Sequence, residues 1–196
     1  MLQDRVEREL AAFGAAASWL DYRLYLCRMY GFLAPIERAL ADSPDLAQVI
    51  EDAGARNTKA ALLAHDLASL GVDRGHLGQI PRIAPPLLDE LPEALGWMYV
   101  VESSTLDGET LARRLSPRLL SELDGAAAYL HCYGHEVHAR WRDFTAALEA
   151  YVDRADAGVC DRIVLAATDG LIRLHRWLAA FASSALTQVR ASRIHA

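Results

Sequence analysis

Apolar residues recur along this chain at steps of three and four, and almost nowhere at steps of two. The cleanest stripe is Trp19, Tyr22, Leu26, Met29, Leu33, Ile36 and Leu40, the mark of one long helix with a buried face. Pro35 inside it predicts a bend. An earlier amphipathic segment over residues 2–14 sets Val6, Leu10 and Phe13 against Arg5, Glu7 and Glu9, with Gly14 placed to end it. A third helix is predicted from about Asn57, a capping residue, through Leu62, Leu63, Leu67 and Leu70 to Gly71. Val137, Trp141, Phe144, Leu148 and Tyr151 trace another stripe, and Val159, Ile163, Ala166, Leu174, Leu178 and Phe181 a last one across about 157–187. Nothing alternates long enough to be a strand, and there is no tandem repeat. The pattern predicts an all-α fold in a single domain over 1–196, its tail fraying after about Val189.

The other elements are organised around Glu93 to Leu115, EALGWMYVVESSTLDGETLARRL, which reads as one helix entered through Pro92. Leu95, Met98, Val101, Thr105 and Ala112 recur at helical spacing, while Trp97, Tyr99, Val100, Leu106 and Leu111 make the other sides apolar. Ser103, Ser104, Thr105, Asp107 and Gly108 are poor helix formers for such a buried place, and the polar ones need partners there. That predicts a functional reason for them. Residues 42–56 are mixed. Gly71 to Leu91 carries Gly75, Gly78, Pro81, Pro85 and Pro86 and predicts a loop, long enough to wrap something. Ser116-Pro117 predicts the start of a short helix closing at Asp124-Gly125.

Composition narrows the function classes. With 196 residues the chain is long enough to bury a substantial core, and its net charge of −6 without a basic patch argues against nucleic acid. No long apolar run and a charged start, MLQDRVEREL, predict a cytoplasmic protein without a membrane span. Cys27, Cys132 and Cys160 read as reduced thiols that fill the core.

Ala94 to Leu115 resembles the distal helix of bacterial heme oxygenases, most closely the bacteriophytochrome-associated, biliverdin-forming kind, whose pattern runs roughly ALGxLYVLEGSTLGGxxIAxxL. The similarity extends to Arg23–Leu40 (RLYLCRMYGFLAPIERAL), which looks like the family's YGFxxPxE helix, and to Asp66–Pro85 (DLASLGVDRGHLGQIPRIAP), similar to its DLxxLG segment and proline-bearing loop. Tyr133–Leu148 (YGHEVHARWRDFTAAL) is similar to its YG-then-WxxF segment. Taken together the resemblance runs from about Gln3 to Leu178. It implies an all-helical heme-oxygenase fold, a monomer or weak dimer, with heme held between a proximal helix that supplies a histidine and a distal helix with glycines over the porphyrin.

This chain departs from that pattern on both sides. The proximal motif resembles xHERxE, and Leu2-Gln3-Asp4-Arg5-Val6-Glu7 places Gln3 at the histidine; the first histidine of the chain is His65. On the distal helix Ser103 and Asp107 stand where the family has glycine, beside Glu102 and Ser104, and Gly108 remains. On one helix Ser103 and Asp107 share a face, which predicts a narrowed pocket with one of them pointing in. The resulting expectation is a degenerate heme oxygenase, a pseudoenzyme that no longer cleaves heme. It would act as a binding or regulatory protein with an unidentified protein partner, or hold heme, bilin or another ligand in the remodelled pocket. An alternative is an active enzyme making biliverdin, carbon monoxide and iron with a non-histidine axial ligand.

Two metal readings are weighed against these. His131, Cys132, His135 and His138 cluster ligand types in YLHCYGHEVH, but the spacing is not HExxH and Tyr133-Gly134 is expected to break any helix between the pairs, so no metal is expected. A carboxylate di-iron oxidase would draw on Glu102, Asp107, Glu109, His65 and Asp66, yet no Glu-x-x-His pair supports it. His65, His76, His175 and His195 read as surface residues.

Overall fold

The computed structural model describes residues 17–43 and 45–194, with side-chain surroundings as far as 179. Gln3, the predicted 2–14 helix and His195 lie outside the described residues, as does the side chain of Phe181. The described chain is all α: α1 (Trp19–Ala41), two single turns α2 (Leu46–Val49) and α3 (Ala53–Arg56), α4 (Lys59–Ser69), α5 (Arg74–Gln79), α6 (Leu91–Ser103), α7 (Gly108–Gly125), a 3-10 turn at Gly134–Glu136, α8 (Val137–Val152) and α9 (Val159–Ile194). The last helix thus continues past the point where fraying was expected. No helix among the described residues is long and apolar enough to cross a membrane.

The predicted stripe of α1 is buried from Tyr22 to Leu40, but Trp19 is 46% exposed. It precedes the core and lies beside the Arg23 guanidinium, 5.1 Å from its ring. Ser18 and Asp21 form a capping box at the start of the helix. Pro35 sits inside α1 without ending it. A proline there cannot donate to the carbonyl four residues back, which is that of Gly31; Ile83 N–H donates to that carbonyl instead, at 3.1 Å. A Cβ on Gly31 would stand 2.2 Å from the Pro81 carbonyl oxygen. Gly31 and Pro35 together therefore dock the 80–83 strap, and the long loop wraps α1. Part of the expected loop is the short helix α5, capped by Asp73.

Helix α4 is not capped by Asn57. The Glu37 carboxylate, reaching from α1, accepts from Lys59 N–H at 2.8 Å and Ala60 N–H at 2.9 Å, so an anion satisfies the positive end of the helix dipole. At its other end α4 carries Asp66, fully buried, which accepts from Ala128 N–H and Tyr129 N–H, each at 2.9 Å. Burial outweighs those two bonds and pushes the Asp66 carboxyl above its ordinary 3.8. A carboxyl raised on folding contributes stability that is fully present below its ordinary value and lost as pH rises through the folded one. Asp66→Asn is therefore expected to lose ground to the wild type on going from neutral pH toward pH ~4. Melting temperatures of both proteins at the two pH values test this; a gap that widens toward neutral pH contradicts it.

The expected helix over Glu93–Leu115 is two helices. Ser103, Ser104 and Thr105 turn their hydroxyls back onto the carbonyls of Val100, Val101 and Glu102 at 3.1, 2.7 and 2.8 Å. Such bonds compete with the helical ladder, and residues 104–107 are turns before α7 starts at Gly108. Nor does a new helix open at Ser116: α7 runs through Pro117 and kinks at Leu119, whose φ and ψ are −128° and 34°. Helix α6 is covered on nearly all sides, as its sequence predicts. It crosses α9 closely, since a Cβ on Gly96 would lie 2.5 Å from the Ile163 carbonyl oxygen. Among the thiols, Cys132 is buried and Cys27 partly so, but Cys160 is exposed and fills no core.

Candidate functional site

A cavity of about 70 Å³ lies where α1, the α6–α7 junction and α9 meet. Tyr25 and Met29 face it from α1, and Leu171, Leu174 and Leu178 from α9. The junction contributes Tyr99, Ser103, Ser104, Asp107, Gly108 and Leu111, and the segment after α7 adds Tyr129 and Leu130. Four of the five singled-out residues of the distal stretch, Ser103, Ser104, Asp107 and Gly108, thus line one space. They do so across a helix break rather than along one helical face.

Two tyrosines organise the polar side of this space. Tyr25 and Tyr129 both face it, and the Tyr129 hydroxyl lies 3.3 Å from Ser104 Oγ and 3.4 Å from the Ser104 carbonyl oxygen. Burial drives both phenols well above the ordinary tyrosine value, so both stay neutral. Burial also raises the Asp107 carboxyl, and the Arg114 guanidinium pulls it back through space. Gly108 has a local reason to be glycine: a Cβ there would stand 2.2 Å from the Leu130 carbonyl oxygen. Its bare backbone makes room for the chain itself.

Glu102 is the exception. It turns away from the cavity into a buried ion cluster, with Arg56 Nη1 at 2.8 Å and Lys59 Nζ also bonded to it. Lys59 has no exposed surface, Arg56 is 3% exposed and Glu102 2%. Lys59 further donates to the Arg56 carbonyl and to the Tyr133 hydroxyl, which itself sits 3.1 Å from Glu102 Oε1. Tyr133 adopts a left-handed φ of 67°, rare for a side chain of its size, and its ring lies near both Lys59 and Arg140. Arg56 also binds Asp52, which Arg140 joins. Every charge in the cluster is paired, so it has the chemistry of a structural tie between α3, α4, α6 and the 133 turn.

The metal readings find no geometry. His131, His135 and His138 are exposed while Cys132 is buried, and the left-handed Tyr133-Gly134 pair separates them. Burial and nearby Glu102 push the Cys132 thiol up to about 11, against the pull of Lys59. Of the di-iron donors, Glu102 is held by cations, Asp66 by amides, and His65 and Glu109 face solvent. Among the described residues no group of three His, Cys, Asp or Glu side chains could hold a metal ion.

The sequence reading missed Tyr25, Tyr129 and the three α9 leucines as neighbours of the distal stretch. Leu174 and Leu178 are visible in the sequence only as core positions, Leu171 falls outside the predicted stripe, and nothing in the residue order brings the 129 segment to the α6–α7 junction. Comparisons of the chain with protein-family models, with curated proteins and with solved structures find no match.

Proposed function

We propose that this is a cytoplasmic binding or regulatory protein, a degenerate relative of the heme oxygenases that holds a ligand in the Asp107 cavity and does not cleave heme. The observation that carries the reading is the make-up of that cavity. It measures about 70 Å³, has Ser103 and Asp107 on its wall, and has no histidine among its described lining residues. Small-molecule sites commonly occupy about 300–1,000 Å³, so the space does not suit a porphyrin. Gly108, which the resemblance would set over the ring, has the Leu130 carbonyl against it. The narrowed pocket expected of a noncatalytic relative is in keeping with these features.

A hemin titration followed by absorbance tests the proposal. The wild type is expected to give no saturable one-to-one Soret shift and no bilin when ascorbate is added. The triple variant Gln3→His, Ser103→Gly, Asp107→Gly removes two side chains from the wall and restores the histidine that the resemblance implies as axial ligand, so it is expected to gain a saturable shift. One-to-one binding by the wild type followed by bilin formation would overturn the proposal in favour of a working heme oxygenase.

A further inference from the structure

We propose that the cavity at the α6–α7 junction takes a small methylated ammonium headgroup, with Asp107 as its counter-charge and the tyrosines around it as a π-rich wall. The inference rests on the reading that this cavity is a ligand site, and it names the class of ligand.

Asp107 is the anomaly from which it starts. The other buried carboxylates are all satisfied: Glu37 by two amides, Asp66 by two amides, Glu102 by Lys59 and Arg56. The Asp107 carboxylate, half-buried, has no hydrogen bond or ion pair with any described residue, and Arg114 reaches it only through space. Even a carboxylate only half withdrawn from water is destabilised while it lacks a partner, and a ligand that pairs with it relieves that cost.

The rest of the wall selects the sign of that partner. No lysine, arginine or histidine is among the described lining residues. Ser103 and Ser104 commit their hydroxyl protons to the Val100 and Val101 carbonyls, and the Tyr129 hydroxyl is engaged with Ser104. What these groups leave facing the space is oxygen lone pairs, which suit a cation and repel an anion. Tyr25, Tyr99 and Tyr129 also bring three aromatic residues to the cavity, and the faces of such rings attract cations.

Apolar character and size select among cations. Met29, Leu111 and the α9 leucines make up much of the wall. A bare metal ion or a primary ammonium would lose more hydration there than one carboxylate returns, whereas N-methyl groups match the leucines. About 70 Å³, at roughly 10–15 Å³ for each water-sized group, holds roughly five to seven such groups. A trimethylammonium group with a short stem is of that size.

Choline and its uncharged isostere 3,3-dimethylbutan-1-ol are the probes, titrated by calorimetry into the wild type and the near-isosteric Asp107→Asn variant. Choline is expected to bind the wild type saturably at one site, with the isostere at least about tenfold weaker and choline at least about tenfold weaker in Asp107→Asn. Equal binding of choline and the isostere, unchanged in Asp107→Asn, would overturn the choice of a cation while leaving the cavity as a ligand site. Binding of neither probe would overturn the inference, and the hemin titration then judges the underlying reading by itself. A melting curve of Asp107→Asn like that of the wild type keeps loss of choline binding from being mistaken for loss of fold.

Discussion

Glu102→Ala is expected to destabilise the protein by about 3–5 kcal/mol, the range for breaking a buried ion pair from one side. Glu102 binds both Arg56 and Lys59 within the core. Its removal leaves the Lys59 ammonium, which has no exposed surface, with only the Arg56 carbonyl and the Tyr133 hydroxyl as neutral partners. Those cannot offset the desolvation of a full charge, so the variant must deform, admit water or neutralise the lysine. Arg56 suffers less, because Asp52 stays beside it. Removing the orphaned charge as well should therefore cost less than the two single changes together: Glu102→Ala with Lys59→Met is expected to be more stable than their sum by about 1–3 kcal/mol. Urea denaturation of the four proteins measures this coupling. A Glu102→Ala variant within about 1 kcal/mol of the wild type would mean that the cluster does not tie the helices together.

The long helices α1, α4, α8 and α9 were legible because each buries one stripe, and periodicity reports burial directly. What periodicity cannot report is a bond between distant residues, and much of this fold depends on such bonds. Glu37 reads as one more charge in RLYLCRMYGFLAPIERAL, yet it caps the helix that begins at Lys59. Asp66 reads as a possible metal donor and instead holds the 128–129 amides. Gly31 and Pro35 are explained by a strap fifty residues on, through the Ile83 N–H and the Pro81 carbonyl. The break after Ser103 was foreshadowed by three hydroxyl residues in a row, but an apolar pattern continuing to Leu115 argued the other way; local hydroxyl-to-carbonyl bonds won. Glu37, Asp66, Glu102 and Tyr133 all lie in the stretches that carry the family resemblance, and all four make structural bonds. Ser103 and Asp107, the positions that depart from it, line the cavity.

Gly108→Ala separates the two reasons a glycine could stand at the start of α7. If the bare backbone there served only a ligand, alanine would leave the ligand-free protein intact or stabilise it slightly, since alanine is favoured over glycine in a helix by about 1 kcal/mol. The geometry says otherwise. The added Cβ would lie 2.2 Å from the Leu130 carbonyl oxygen and 3.0 Å from its carbonyl carbon, and backbone atoms cannot rotate aside as a side chain would. The 126–130 segment is also anchored from behind, by Asp66 on the Ala128 and Tyr129 amides and by the Tyr22 hydroxyl on the Ala126 carbonyl at 2.6 Å. Relief of the clash must therefore shift α7 or strain those bonds. The expected loss is about 1–3 kcal/mol, the range for overpacking a core, with a lower melting temperature in the absence of any ligand. A second consequence follows from the position of the clash on the cavity wall: any shift of Leu130 moves Tyr129 with it and loosens its contact with Ser104. Choline affinity should then fall along with stability in Gly108→Ala, whereas Asp107→Asn should lose affinity alone. An unchanged or raised melting temperature for the ligand-free Gly108→Ala protein would return Gly108 to the role of a ligand-facing glycine.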